Sequence, residues 1–333
     1  MRILVVENLE PDQQSWWRQY LPPESEHCQV FTENIPERNL PSVIIPLLKL
    51  YFKLSKYDVV ITHQDGYATF IFAFLNSFFR FRKHRHFINE FITREKSDSF
   101  YSRIKFMYLK FSLSSVGCIM CSSSKEIEYY KQTLNLKRTE YAFVPLATNP
   151  KFAEIESNVT GDYIVSSGRT GRDYGTLIEA VRDLNIRLIL VCDPRNLGGI
   201  NIPSNVEVKY NIPLNELIDL EAKARFIVLP LQDRMISVGQ SVLIQCMVLG
   251  KAVIVTKNAA TVDYIEDDVS GLFVKPGDVD DLRRVISELI YDPEKVARIG
   301  VRAKEVAKAN YLISSKIARI SRVIANGDKK LVQ

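Results

Sequence analysis

Short apolar runs alternate along this chain with segments whose apolar positions recur every three or four residues. Ile3-Leu4-Val5-Val6, Val59-Val60-Ile61-Thr62, His86-Phe87-Ile88 and Cys118-Ile119-Met120 read as a first set of strands. Their unbroken apolar character suits parallel strands covered on both faces. Tyr141-Ala142-Phe143-Val144-Pro145 then leads into Asn149-Pro150, which reads as a hinge. A second set follows at Tyr163-Ile164-Val165-Ser166, Arg187–Val191, Val206–Val208, Phe226–Leu229 and Ala252–Val255. Between strands, Tyr174, Leu177, Ile178 and Val181 fall at i, i+3, i+4 and i+7, as do Leu282, Val285, Ile286 and Leu289, so both stretches predict amphipathic helices. The pattern predicts an α/β protein of two Rossmann-like, doubly wound domains facing a central cleft, with ligands at the carboxyl ends of the strands. A length of 333 residues suits two domains of about 150 each. The expected division is 1–152, 153–311, and a last segment 312–333 whose helix, Leu312–Ile324, crosses back to the first domain.

The stretch Ala224–Asp278 holds the most chemistry. It reads as a buried strand, a loop of small residues, a helix to about Leu249, a stop at Gly250 and a second strand. The loop Ser237-Val238-Gly239-Gln240-Ser241 opens onto the helix start, where unpaired N–H groups and a partial positive charge suit a phosphate. The same pattern serves in an ordinary βαβ turn. A second loop of this kind, Ser166-Ser167-Gly168-Arg169-Thr170-Gly171-Arg172-Asp173-Tyr174, places two arginines between a strand and a helix. Arginine stays charged and grips phosphate oxygens in pairs. Two such loops in one domain favour the phosphate reading over solvated turns.

Composition narrows the class. A hydrophobic fraction of 46% and a charged fraction of 25% are those of an ordinary globular protein. No run reaches the roughly 18–20 apolar residues of a membrane span, and no signal-peptide pattern precedes the first strand. Five cysteines (Cys28, Cys118, Cys121, Cys192, Cys246), mostly in apolar runs, suggest buried thiols in a cytoplasmic protein. Cys118-Ile-Met-Cys121 has metal-ligand spacing but no second pair follows, so a metal site is not expected. The net charge of +5 is uneven: residues 45–110 hold 12 basic and 5 acidic side chains. That excess sits among aromatics at Leu47–Lys53, Phe78–Arg85 and Arg103–Lys110, a composition that suits an anionic membrane surface or a solvated helix face. No nucleic-acid motif accompanies it.

The second half resembles the donor-binding domain of the GT-B glycosyltransferases, above all the large retaining family four, group 1. Ser167-Gly168-Arg169 and Arg172-Asp173-Tyr174-Gly175-Thr176-Leu177-Ile178-Glu179-Ala180 are similar to its Gly-Arg turn and "D-Y-x-x-L-x-x-A" helix, with Arg172 in place of a lysine. Leu243–Thr256 resembles "L-L-E-A-M-A-x-G-K-P-V-I-A-T", and Asp263–Asp278 resembles "D-Y-I-x-D-G-x-x-G-x-x-V-x-P-G-D". The match is good over roughly 160–310 and loose before residue 150.

The resemblance implies a GT-B fold and transfer of a sugar from a nucleotide-sugar donor, UDP or GDP, to a hydroxyl of a glycan, glycolipid or lipid-linked acceptor. It implies a retaining outcome and no metal or other cofactor. Arg169 and Arg172 would hold the diphosphate and steady the leaving group. Gly168 would let the backbone approach, and Gly239, Gln240 and Ser241 would offer N–H groups. Gln245 would address the ribose. The family's two glutamates, eight positions apart, are here Ser237 and Gln245, so neither is a carboxylate. An insertion after Pro230 puts Asp233 forward for the sugar pocket. The loop after the first strand, Glu7–Gln14, lacks the family's Gly-Gly turn. His63 and Glu90, at strand ends, are catalytic candidates in the cleft: His63 for a sugar hydroxyl or the reacting centre, or else as a loop cap, and Glu90 as acceptor base; His27, His84 and His86 read as surface residues. The expected location is the cytoplasm, with peripheral attachment to the inner membrane face. Two rivals stand beside this reading: a non-catalytic partner subunit, and a GT-B sugar-nucleotide epimerase.

Overall fold

Six strands form the sheet of the N-terminal unit: β1 (Arg2–Glu7), β2 (Gln29–Asn34), β3 (Val59–His63), β4 (Arg85–Asn89), β5 (Cys118–Cys121) and β6 (Glu140–Phe143). They lie in the order β2-β1-β3-β4-β5-β6, all parallel. In this computed structural model the described residues are 1–7, 17, 29–35, 40–64, 66–79, 84–157 and 161–329. Alternate side chains of each strand enter opposite cores, as the pleat requires. Leu4, Val6, Val60, Ile88 and Ile119 meet α1 (Leu40–Lys53), α2 (Tyr67–Phe78), α3 (Phe100–Leu113) and α4 (Ser124–Leu134). Ile3, Val5, Ile61, Phe87 and Met120 face the other way, onto Trp17, Ile320 and Ile324. The two isoleucines belong to a late helix, so the chain's end returns to this unit. Their burial contributes roughly 1.5–3 kcal/mol each.

One sequence expectation fails in this unit, and one strand goes unforeseen. His84 and His86 are not at the surface: they are 8% and 1% exposed. His86 sits within β4, where period-2 alternation turns it inward, and its Nε2 lies 2.8 Å from Thr62 Oγ1. Burial, helped by nearby His84, lowers its pKa to about 3, so it is neutral. His84 Nε2 lies 3.2 Å from Asn76 Nδ2. Strand β2 was not foreseen, because Gln-Val-Phe-Thr-Glu-Asn is a mostly polar edge strand without a core-strand signature. His27, Cys28 and the loop beyond Glu7 lie outside the described residues.

The C-terminal unit repeats the plan with β7 (Tyr163–Ser167), β8 (Arg187–Cys192), β9 (Val206–Tyr210), β10 (Ile227–Leu229), β11 (Val253–Thr256) and β12 (Leu272–Val274). The order is β12-β11-β10-β7-β8-β9, again parallel. Helices α5 (Tyr174–Val181) and α8 (Val279–Tyr291) cover one face; α7 (Gln240–Val248) and α9 (Pro293–Asn310) cover the other, and α6 (Leu214–Lys223) joins β9 to β10. The predicted stripes Tyr174/Leu177/Ile178/Val181 and Leu282/Val285/Ile286/Leu289 are all buried. Asp173 and Asp278 cap α5 and α8 by accepting from the N–H groups of Thr176 and Asp281. Helix α10 (Ile313–Lys329) begins here and ends in the other unit: the units are Leu146–Lys316, and Met1–Pro145 with Ile317–Gln333. Cys118, Cys121, Cys192 and Cys246 are buried and carry no disulfide.

Strand order locates the ligand end of the second sheet. From β7 the chain winds outward through β8 and β9, then returns to β10 on the other side of β7 and winds the opposite way. The loops after β7 and β10 therefore emerge side by side at a topological switch point, the position such sheets offer to ligands.

Candidate functional site

The two loops at that switch point are the two that sequence chemistry singled out. Backbone bonds join them: Asp173 N donates to Pro230 O at 3.0 Å, and Gln232 N to Gly171 O at 2.9 Å. Arg172 runs beneath the first loop, 7% exposed, and donates from Nε to Ser167 O at 2.9 Å and from Nη1 to Thr170 O at 3.0 Å. Burial lowers its pKa from the usual guanidinium value, offset by nearby Tyr174, Cys246 and Glu221. The cation is thus spent on the loop's own carbonyls. Gly168 has φ +122°, and a Cβ there would come within 2.2 Å of Arg172 Nη2. Only glycine fits. Tyr174 Oη closes the turn by donating to Gly168 O at 2.7 Å, and Asn196 Nδ2 donates to Arg169 O at 2.8 Å. Arg169 itself projects as an exposed side chain.

The second loop ends at Gly239, whose φ of +84° starts α7. A Cβ on Gly239 would lie 2.8 Å from Leu231 Cδ2 and 3.3 Å from Arg172 Nη1, so the helix start is pressed against the arginine loop. The first N–H groups of a helix have no partner within it. Gln240 is 2% exposed and its Nε2 donates to Ser237 Oγ at 3.1 Å, so that side chain serves the loop. Ser241 is exposed at the helix start, and Asp233 is exposed further back in the same loop.

Below the loops lies a group the sequence reading missed. Glu221 of α6 is fully buried, and its carboxylate accepts from Ser167 Oγ at 2.8 Å and from Gln245 Nε2 at 2.5 Å. Burial raises its pKa, against those hydrogen bonds and Arg172. Gln245 is therefore held by a carboxylate through its amide nitrogen. An available signal was Glu221 beside Leu217 and Leu220, partly buried positions one turn apart on α6.

In the N-terminal unit, the ends of β3 and β4 bring His63 and Glu90 together through their neighbours. His63 pairs in register with Asn89, whose Nδ2 lies 3.1 Å from His63 Nδ1. Gln64 N donates to Asn89 O at 2.8 Å, and Gln64 Nε2 to Glu90 Oε2 at 3.4 Å. Trp17 meets the His63 ring edge-on at 5.8 Å between centroids. Gln64 and Glu90 both hold positive φ, 48° and 55°. Gln64 and Asn89 were not foreseen as members of this cluster. Among the described residues, no group of three or more His, Cys, Asp or Glu is arranged to hold a metal.

Residues 149–306 match the family model "Glycosyl transferases group 1". A search of curated proteins finds no match. Among solved structures the chain is similar to sucrose-phosphate synthase from Thermosynechococcus elongatus, with TM-score 0.67 and 18% identity over 97% of this chain and 89% of that one. It is similar to HepE from Anabaena, solved in complex with UDP, with TM-score 0.65 and 13% identity over 98% of this chain and 100% of that one. It is equally similar in shape to the N-terminal domain of trehalose-6-phosphate phosphatase from Candida albicans, with TM-score 0.68 and 12% identity over 97% of this chain and 96% of that one. At these identities the structures establish the fold, and the family match is confined to residues 149–306. The chain has the GT-B fold, and within its C-terminal unit residues 149–306 match the glycosyl transferases group 1 family model.

Proposed function

We propose that this protein transfers a hexosyl group from a nucleoside-diphosphate sugar, UDP- or GDP-linked, to a hydroxyl of a glycan or lipid-linked acceptor, with retention and without a bound metal or other cofactor. The observation that carries this is the switch point of the second sheet. There an exposed arginine, Arg169, and a helix start at Gly239 project from two loops bonded to one another. Such a pair offers positive charge and N–H groups to a diphosphate, and stabilises the charge that grows on it as the sugar leaves. HepE, a structural relative, was solved with UDP, with UDP and glucose, and with UDP-glucose, which supports a uridine donor. Arg172 and Glu221 act as positioning residues: the first holds the loop that carries Arg169, the second holds Gln245 for the ribose. Asp233 is assigned to the sugar. His63 and Glu90 are assigned to the acceptor, with Glu90 as proton acceptor. The working location is the cytoplasmic face of a membrane, attached peripherally; among the described residues no helix is long and apolar enough to cross one.

The test is calorimetric titration of UDP, GDP and ADP into the full chain, followed by donor turnover with the sugars of whichever nucleotide binds. Micromolar binding of one nucleotide, lost in Arg169→Ala, supports the donor site. No binding of any of the three overturns it. Binding without turnover, under any acceptor tried, assigns the chain to the non-catalytic subunit class, a reading favoured by Ser237 and Gln245 standing where the resembled family has carboxylates.

A further inference from the structure

Helix α3 is apolar on two sides. Phe106, Leu109 and Leu113 are buried against the sheet. On the other side, Phe100, Ile104, Met107 and Phe111 recur at i, i+4, i+7 and i+11 and stay exposed, Phe100 by 79% and Met107 by 68%. Tyr101 is 78% exposed beside them, and Phe78 and Phe79, at the end of α2, extend the patch. The rings brace one another: Phe74 stacks on Tyr108 at 5.7 Å between centroids, and Phe78 meets Phe111 edge-on at 5.3 Å. An apolar stripe about three helical turns long is more than scattered surface residues account for.

Charge accompanies the stripe. Helix α3 carries Arg103, Lys105 and Lys110 and no acidic residue; α1 carries Lys49 and Lys53 and none either. At the C-terminal end of α3 a pocket of about 750 Å³ opens, lined by Lys110, Lys137, Arg138, His84, Asn76 and Phe111 among others, with no carboxylate among the described residues of its wall. Lys110, Lys137 and Arg138 are exposed and make no ion pair among the described residues. The pocket sits where β4, β5 and β6 begin, the sheet edge opposite His63 and Glu90. The stripe on α3 runs the length between the two edges.

We propose that this face seats the N-terminal unit on an anionic lipid bilayer. Phe100, Ile104, Met107 and Phe111 enter the interface, and Lys110, Lys137 and Arg138 take headgroup phosphates in and around the pocket. Charge complementarity decides the occupant. A second copy of the chain would bring the same basic rim against itself, whereas phosphatidylglycerol-type headgroups neutralise it. The proposal deepens the reading that the acceptor lies at a membrane, and names the surface that puts it there.

The experiment is co-sedimentation of the full chain with phosphatidylcholine vesicles, with and without phosphatidylglycerol, in parallel with UDP titration of each variant. Wild type should sediment with the anionic vesicles alone and lose them at high salt. The triple variant Lys110→Glu/Lys137→Glu/Arg138→Glu should bind on the order of 100-fold more weakly, at about fivefold per basic residue removed. Phe100→Ser/Met107→Ser should also lose the vesicles while keeping its thermal melting point, since both side chains are exposed. Failure to sediment in wild type, equal binding to neutral vesicles, or unchanged binding in both variants would overturn the proposal. Self-association that the serine pair abolishes, without vesicle binding, would assign the face to a second copy instead. A chain that binds vesicles but no nucleotide would leave this surface standing and remove the donor site. A chain that binds nucleotide but no vesicle would do the reverse.

Discussion

Both sheets present left-handed backbone at their carboxyl ends, but they pay for it differently. At the switch point of the C-terminal unit the left-handed positions are glycines, Gly168, Gly171 and Gly239, and the chemistry comes from what their missing side chains allow to approach. In the N-terminal unit they are Gln64 and Glu90, which keep side chains in a conformation that costs an L-residue about 1–2 kcal/mol. Glycine there would be cheaper, so the amide and carboxylate are retained against a local penalty. Strain of this kind collects where a side chain is needed in one place. The second unit's loops are shaped by glycine backbone that carries Arg169; the first unit's cluster is made of side chains held in strained backbone.

Acid separates the two units most strongly. All four histidines and both tryptophans lie in residues 1–145. The folded-state pKa of His86 is depressed from 6.5 to about 3, so the unfolded chain binds more protons between those values and stability falls as pH drops through that window. The loss from His86 alone reaches up to about 5 kcal/mol, at 1.36 kcal/mol per pH unit. Tryptophan fluorescence should report unfolding of the N-terminal unit below about pH 5, and His86→Gln should flatten that dependence. A wild-type acid transition unchanged by the substitution would show that another group controls it.

At neutral pH the glycine loops are the sharper test. Gly239→Val forces a β-branched residue to φ +84° with its Cβ against Leu231, which should cost on the order of 3–5 kcal/mol in urea unfolding and abolish nucleotide binding. The two arginines should then part company. Arg172→Met leaves the carbonyls of Ser167 and Thr170 and the carboxylate of Glu221 without their cation, for roughly 2–4 kcal/mol of stability. Arg169→Ala should change stability by less than about 0.5 kcal/mol yet weaken UDP binding about 10- to 100-fold. Equal effects of the two on stability would erase the distinction between a positioning and a contacting arginine.

Gln245→Glu restores the carboxylate that the resembled family carries, and in this chain it should do harm. Its new charge would meet Glu221 at hydrogen-bond distance in a buried site, costing roughly 2–3 kcal/mol. Glu221→Gln in the same chain should recover most of the loss, a coupling that a double-mutant cycle measures directly. Improved UDP binding in the single variant would show that Gln245 departs from the family without compensation.

The fold was legible because it rests on period and run length. The buried strands and the stripes on α5 and α8 are local patterns, and they appear as read. The loops at Gly168 and Gly239 were legible for the same reason, since glycine beside a helix start is a local signature. Three features depend on distant pairing and were not. Glu221 comes to Gln245 only because α6 ends beneath β7; His86 is inward only because β4 is central; Gln64 meets Glu90 only because β3 and β4 pair in register. None of these partners is near the other in sequence.

The smallest expected effect bears most directly on the opening contrast. Glu90→Gly releases the left-handed position and should raise stability by up to about 1 kcal/mol, less the 3.4 Å contact with Gln64. Glu90→Ala, which keeps the strained conformation but removes the carboxylate, should be slightly destabilising. Both should lower transfer to the acceptor while leaving UDP binding as in wild type, because the carboxylate belongs to the N-terminal unit's cluster and the nucleotide is proposed for the other unit. Should Glu90→Gly prove more stable and transfer at the wild-type rate, the strain would serve no catalytic purpose. The acceptor base would then have to be sought at His63, the other titratable side chain at that strand end.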